Sequence, residues 1–139
     1  MTRVLPAVDE QSAAFWEAAQ AHRLVLAHCD ACQRINHPPD VVCGHCHHPA
    51  GRFHDAPVGT GATVRSWITV RQAFLPGFDE LVPFVLVDAS LDADDDVRLI
   101  GRLLDGPAAP LVVGDRVRLE FEDIAVGVAL PAFVLDPTT

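Results

Sequence analysis

Four cysteines stand at two identical spacings, Cys29-Asp30-Ala31-Cys32 and, after ten intervening residues, Cys43-Gly44-His45-Cys46. Each Cys-x-x-Cys turn aims two sulfurs at one point, and two such turns supply the four thiolates that close a tetrahedral shell around zinc at about 2.3 Å. A complete sulfur set leaves no position for water or substrate, so the ion would be structural, and Gly44 eases the second turn. The same ligands suit iron, and ligand type alone does not separate the two metals. Disulfides are the weaker reading, because nothing else in the chain looks secreted. A redox Cys-x-x-Cys would need one motif beside a strand and helix unit that the sequence lacks. His45 and His47 lie nearest the cysteines and read as loop residues or outer donors, not as ligands.

Residues 24–53 hold all four cysteines and five of the seven histidines, His28, His37, His45, His47 and His48, among Pro38, Pro39 and Pro49. With few large apolar residues this loop-rich module cannot fold on burial alone, and metal binding worth roughly 10 to 16 kcal/mol in small zinc peptides would hold it. Upstream, residues 9–22 are rich in helix formers, with Asp9 or Ser12 as a cap and acidic residues in the first turn. Phe15, Trp16 and Ala19 give that helix a short apolar stripe for docking on its own chain or on a partner.

Downstream the pattern changes to short runs of Val, Ile, Leu, Thr and Phe separated by Gly, Pro and Asp. Strands are expected at 63–70, 84–91, 97–104, 116–121 and 127–134, with turns at 92–96 and 114–115. In 116–121 strict alternation places Val117, Leu119 and Phe121 on one side and Arg116, Arg118 and Glu120 on the other. Five short strands suggest an OB barrel. The chain thus divides into a helical segment (1–23), a metal-stapled module (24–56) and a mostly β barrel (57–139). Asp94, Asp95 and Asp96 read as a solvated hairpin turn.

All ten basic residues are Arg, set against 19 acidic residues in a chain of 139, for a net charge of −9. That balance opposes counterion release from a polyanion, and with no Tyr to stack on bases a nucleic-acid-binding OB module is disfavoured. No run reaches the roughly 20 apolar residues of a membrane span, and the first ten residues lack a basic-then-apolar leader pattern. A soluble, cytoplasmic protein with no membrane partner is expected. Ser66 and Ser90 lack a nucleophile-elbow context, no Lys is present, and a stand-alone esterase or hydratase would draw on His22, His54 or Asp88. No catalytic residue is assigned, and an independent enzyme is not expected.

Residues 71–83 connect two expected strands and yet carry Phe74, Leu75, Phe78 and Leu81. Apolar side chains on a long connection must fold back over the barrel or be covered by a ligand or another protein.

The helix with Phe15-Trp16-Glu17-Ala18-Ala19, the approach Arg23-Leu24-Val25-Leu26 to Cys29, the stretch 35–39, the second knuckle, and the ending Gly127-Val128-Ala129-Leu130-Pro131-Ala132-Phe133 occur in an order that resembles one family. It is the acyl-CoA-associated family that joins a rubredoxin-like zinc ribbon to an OB fold, domain of unknown function 35. The resemblance spans roughly residues 10–135. Relatives place Gly after the second Cys of each knuckle, where this chain has Gln33 and His47. The resemblance implies an accessory subunit of a thiolase-fold enzyme (thiolase, aldolase or acyltransferase) or of a hotdog-fold enoyl-CoA hydratase. It further implies a hetero-oligomer in lipid or steroid side-chain metabolism, in which the barrel helps bind or channel an acyl-CoA thioester. The loop 71–83 then lies toward the acyl-CoA side, with Phe74, Leu75 and Phe78 as contacts. Coenzyme A needs cations, and from residue 57 onward six Arg face thirteen acidic residues. Arg65 and Arg71 are the leading candidates, followed by Arg98 and Arg102, because the guanidinium fork fits phosphate oxygens.

Overall fold

A computed structural model describes residues 2–49 and 51–137. Period-two burial shows directly which side chains build the barrel. Along β5 (Phe84–Leu91) Val85, Val87, Ala89 and Leu91 point inward, and along β7 (Arg116–Ala125) Val117, Leu119 and Phe121 do the same. Together with β4 (Gly61–Val70), β6 (Asp94–Leu103) and β8 (Val128–Leu135) they close a barrel in the order β4-β5-β6-β8-β7. Every neighbouring pair is antiparallel except β6 with β8, whose short parallel seam pairs Arg102 with Ala132 and Leu103 with Phe133. Phe133 is the largest fully buried side chain, and the mixed five-strand barrel is the OB fold expected from the strand pattern.

Two local expectations are corrected. The helix α1 covers Ala13–Gln20, not 9–22, because Asp9 and Ser12 bond each other reciprocally and hold a separate turn before it. No acidic residue lies in its first turn. Its end is a Schellman closure, with His22 N–H donating to Ala19 O and Arg23 N–H to Ala18 O while His22 sits at φ 57°. The acidic run is not a free turn either. The hairpin turns at residues 92–93, Asp94 to Asp96 already belong to β6, and Arg34 reaches across to Asp94 and Asp96.

The cysteine module carries its own small antiparallel sheet of β1 (Val25–Cys29), β2 (Ile35–Asn36) and β3 (Phe53–Pro57), in the order β2-β1-β3. Leu24, Leu26 and Ile35 from this region join Ala19 of α1 and the barrel interior in one buried cluster.

Candidate functional site

The strand β1 delivers Cys29, and the turn after it brings Cys32 round, closed by Gln33 N–H donating to Cys29 O at 2.8 Å. The second knuckle repeats the device, with His47 N–H donating to Cys43 O at 3.1 Å. Gln33 at φ 66° and His47 at φ 56° occupy the left-handed conformation that favours Gly, so the departure from the family pattern leaves the turns intact. All four sulfurs lie within 4.8 Å of one another, and the Cys29–Cys46 and Cys32–Cys43 separations are both 3.7 Å. A tetrahedron with arms of about 2.3 Å has edges of about 3.8 Å, so these sulfurs are spaced as ligands of one zinc ion.

The surroundings of Cys43 favour thiolate. Ala31 N–H donates to Cys29 Sγ at 3.4 Å, His45 N–H to Cys43 Sγ at 3.3 Å, and Asn36 Nδ2 to Cys43 Sγ at 3.4 Å. The Cys46 amide first, then the His45 amide and Asn36, hold the Cys43 thiol down to about 5 against the opposing effect of burial. The His48 amide draws Cys46 the same way, but burial and the three neighbouring sulfurs push it up to about 11. Four sulfurs this close share protons unless a cation neutralises them, and a bound zinc supplies that charge and ties the two knuckles together. His45 turns its ring to Ile35 O at 3.2 Å, away from the sulfurs. Asn36, buried and bonded to Gly44 N–H as well as Cys43, is an outer support the sequence did not reveal.

A groove of about 800 Å³ opens where α1, the ribbon, the 71–83 connection and the outer barrel face meet. Val70, Leu86 and Ile100 from β4, β5 and β6 form its floor, Phe15 and Trp16 one wall, and Phe74, Leu75 and Phe78 another. Phe15 packs edge-on against Trp16 at 4.9 Å and at a tilt against the His37 ring at 5.3 Å, and both aromatics pack on the buried core, so the helix stripe docks on its own chain. Burial draws the His37 pKa below its ordinary value, which keeps the imidazole neutral in that wall. Phe78 folds back to stack on Phe84 at 5.7 Å, whereas Phe74 remains 82% exposed.

The candidate contacts separate. Phe74, Leu75, Phe78, Arg98 and Arg102 line the groove; Arg65 and Arg71 do not. Arg65 donates through Nε to the buried Ser90 Oγ at 2.9 Å, and Arg71 is exposed at the end of β4. Arg98 grips Asp88 with Nε and Nη2 at 3.1 and 2.6 Å. Arg102 forks onto Glu122 at 3.1 and 2.8 Å, and Arg3 reaches the same carboxylate at 2.5 Å. Burial alone would raise the Glu122 pKa, but Arg102 and Arg3 hold it below the ordinary carboxylate value. The three side chains are 13%, 14% and 24% exposed for Arg3, Glu122 and Arg102. Arg3 and Glu122 carried no sequence signal, being 119 positions apart. The base candidates are occupied elsewhere: His22 with Asp123 at 2.8 Å, His54 with Asp30 at 2.5 Å, and Asp88 with Arg98.

Residues 16–50 match the family described as the ChsH2 rubredoxin-like zinc ribbon domain, and residues 55–122 match the ChsH2 C-terminal OB-fold domain. A probable enoyl-CoA hydratase alpha subunit of Thermomonospora curvata is 31% identical over 134 residues, which are 94% of this chain but 39% of that protein. The chain therefore spans well under half the length of that curated relative. Among solved structures, a chain of the Ltp2-ChsH2(DUF35) aldolase is similar with TM-score 0.81 and 27% identity, covering 94% of this chain and 98% of that one. A DUF35 protein of unknown function from Sulfolobus solfataricus has the same fold, with TM-score 0.61 at 14% identity over 93% of this chain and 87% of its own.

Proposed function

Because the chain belongs to the DUF35 family, with a ChsH2-type zinc ribbon followed by a ChsH2-type OB fold, we propose that it is an accessory subunit that docks on a thiolase-fold enzyme and helps bind an acyl-CoA thioester. The observation that carries this reading is the apolar groove of about 800 Å³ beside the exposed Phe74 and Leu75. A volume in the range of ligand sites, with aromatic walls and few polar groups, suits an acyl chain. Exposed apolar side chains on its lip suit a protein partner that would cover them. The solved relative named as an aldolase complex supports a thiolase-type or aldolase partner. The chain is read as 1–23, 24–56 and 57–139, with the zinc-stapled middle part fixing the angle between helix and barrel. In this reading it acts in the cytoplasm in lipid or steroid side-chain metabolism, and the reaction itself is performed mostly by the partner's residues.

A second assembly is favoured by the name of the Thermomonospora curvata relative, an enoyl-CoA hydratase alpha subunit. There the partner would be a hotdog-fold hydratase, and the same groove would serve the same thioester.

Co-expression with neighbouring thiolase-fold and hydratase genes, followed by co-purification and calorimetry with octanoyl-CoA, tests both. The expected result is a stable hetero-oligomer that binds the thioester, with Phe74→Asp and Leu75→Asp each weakening assembly at least about tenfold. A monodisperse chain that captures neither enzyme and binds no thioester overturns the proposal.

A further inference from the structure

The chain carries a net charge of −9, yet its main groove is lined by three of the ten arginines, Arg3, Arg98 and Arg102, and by a single carboxylate, Glu122. Asp88, which neutralises Arg98, does not line the groove. Glu122 is shared: its Oε1 accepts from Arg3 Nη2 at 2.5 Å and Arg102 Nη2 at 2.8 Å, and its Oε2 from Arg102 Nε at 3.1 Å. One carboxylate between two guanidiniums leaves a positive charge and unspent N–H donors on both, since each Arg carries five. Arg3 is fixed from a second side by the Phe78 ring, 5.8 Å from its guanidinium carbon.

We propose that Arg3 and Arg102 form an anion subsite in this groove, so that it takes an apolar chain bearing a carboxylate or phosphate. Glu122 orients the two forks, while the chain lies over Phe15, Trp16 and Ile100. A charge-assisted contact in so apolar a setting discriminates strongly against an uncharged analogue. The inference rests on the groove being a ligand site and deepens that reading by naming its polar end. Free fatty acids and CoA thioesters share this chemistry, and the experiment separates them.

Octanoate, 1-octanol and octanoyl-CoA are titrated into the zinc-loaded full chain, followed by calorimetry and by the Trp16 indole resonance. Octanoate or octanoyl-CoA should bind at least about tenfold tighter than octanol, with the preference shrinking at high salt. Arg3→Gln and Arg102→Gln should each remove most of that preference, read as the ratio of octanoate or octanoyl-CoA affinity to octanol affinity in the same variant. Preference shown by octanoate assigns the anion to a carboxylate, and preference shown only by octanoyl-CoA assigns it to the phosphates. Equal binding of all three probes to the unaltered chain, or a preference that survives both substitutions, overturns the inference. A chain that assembles with its partner but shows no anion preference fails here alone. One that prefers octanoate and finds no partner fails only the assembly reading.

Discussion

The metal ligands were legible because their spacing is itself the chemistry, and the structure places all four sulfurs at ligand distances. Cys43→Ser should therefore reduce bound zinc from one equivalent to none by elemental analysis. The two left-handed residues that follow the knuckles make a subtler expectation. Gln33 and His47 each hold a positive φ that costs a side-chain-bearing residue roughly 1 to 2 kcal/mol. Gly there relieves that strain but gains freedom when unfolded, so Gln33→Gly and His47→Gly should each stabilise by at most about 1 kcal/mol in urea titrations. Glu122 was not legible, because its meaning comes from Arg3 and Arg102 and no local pattern joins them. Its folded pKa lies below the usual 4.5, so its stabilising effect is complete above that value and fades as pH falls through the folded one. As pH falls below 4.5 the urea midpoint of the natural chain should drop more steeply than that of Glu122→Gln, which keeps no titrating group there.

At the scale of elements, alternation located the barrel strands but not their ends. The strand expected at 97–104 begins at Asp94, because pairing with Arg34 from the ribbon holds acidic residues that local propensity assigns to a turn. The same logic shortened the helix, where the reciprocal Asp9 and Ser12 bonds captured residues with good helix propensity. The closing seam was invisible in sequence, since the parallel pairing of β6 with β8 joins strands separated by a third. Gly101 marks it: a Cβ there would stand 2.9 Å from both Ala132 Cα and Pro131 O, backbone that cannot step aside. Gly101→Val should cost about 1 to 3 kcal/mol and speed amide exchange along β6 and β8 first.

In the whole molecule, the ribbon and the barrel share their packing. Ala19, Leu24, Leu26 and Ile35 share one buried cluster with the barrel interior, Val58 N–H donates to Leu24 O at 3.0 Å, and Arg34 spans from ribbon to β6. Loss of the metal would unfix the two knuckles beside β1 and β2, and through those strands loosen one side of the common core. A ligand held at 100 times its dissociation constant contributes about 2.7 kcal/mol, and for a chain of this size each kcal/mol moves the midpoint by roughly 2 to 4 °C. Chelation should therefore lower a single cooperative thermal transition by about 5 to 10 °C or more, because the ribbon cannot melt without exposing Leu24, Leu26 and Ile35 and the barrel atoms they cover. Two resolved transitions in calorimetry, the upper one indifferent to chelator, would instead make the ribbon an independent unit, and the zinc would then govern the ribbon-side wall at His37 to Pro39 without governing the barrel.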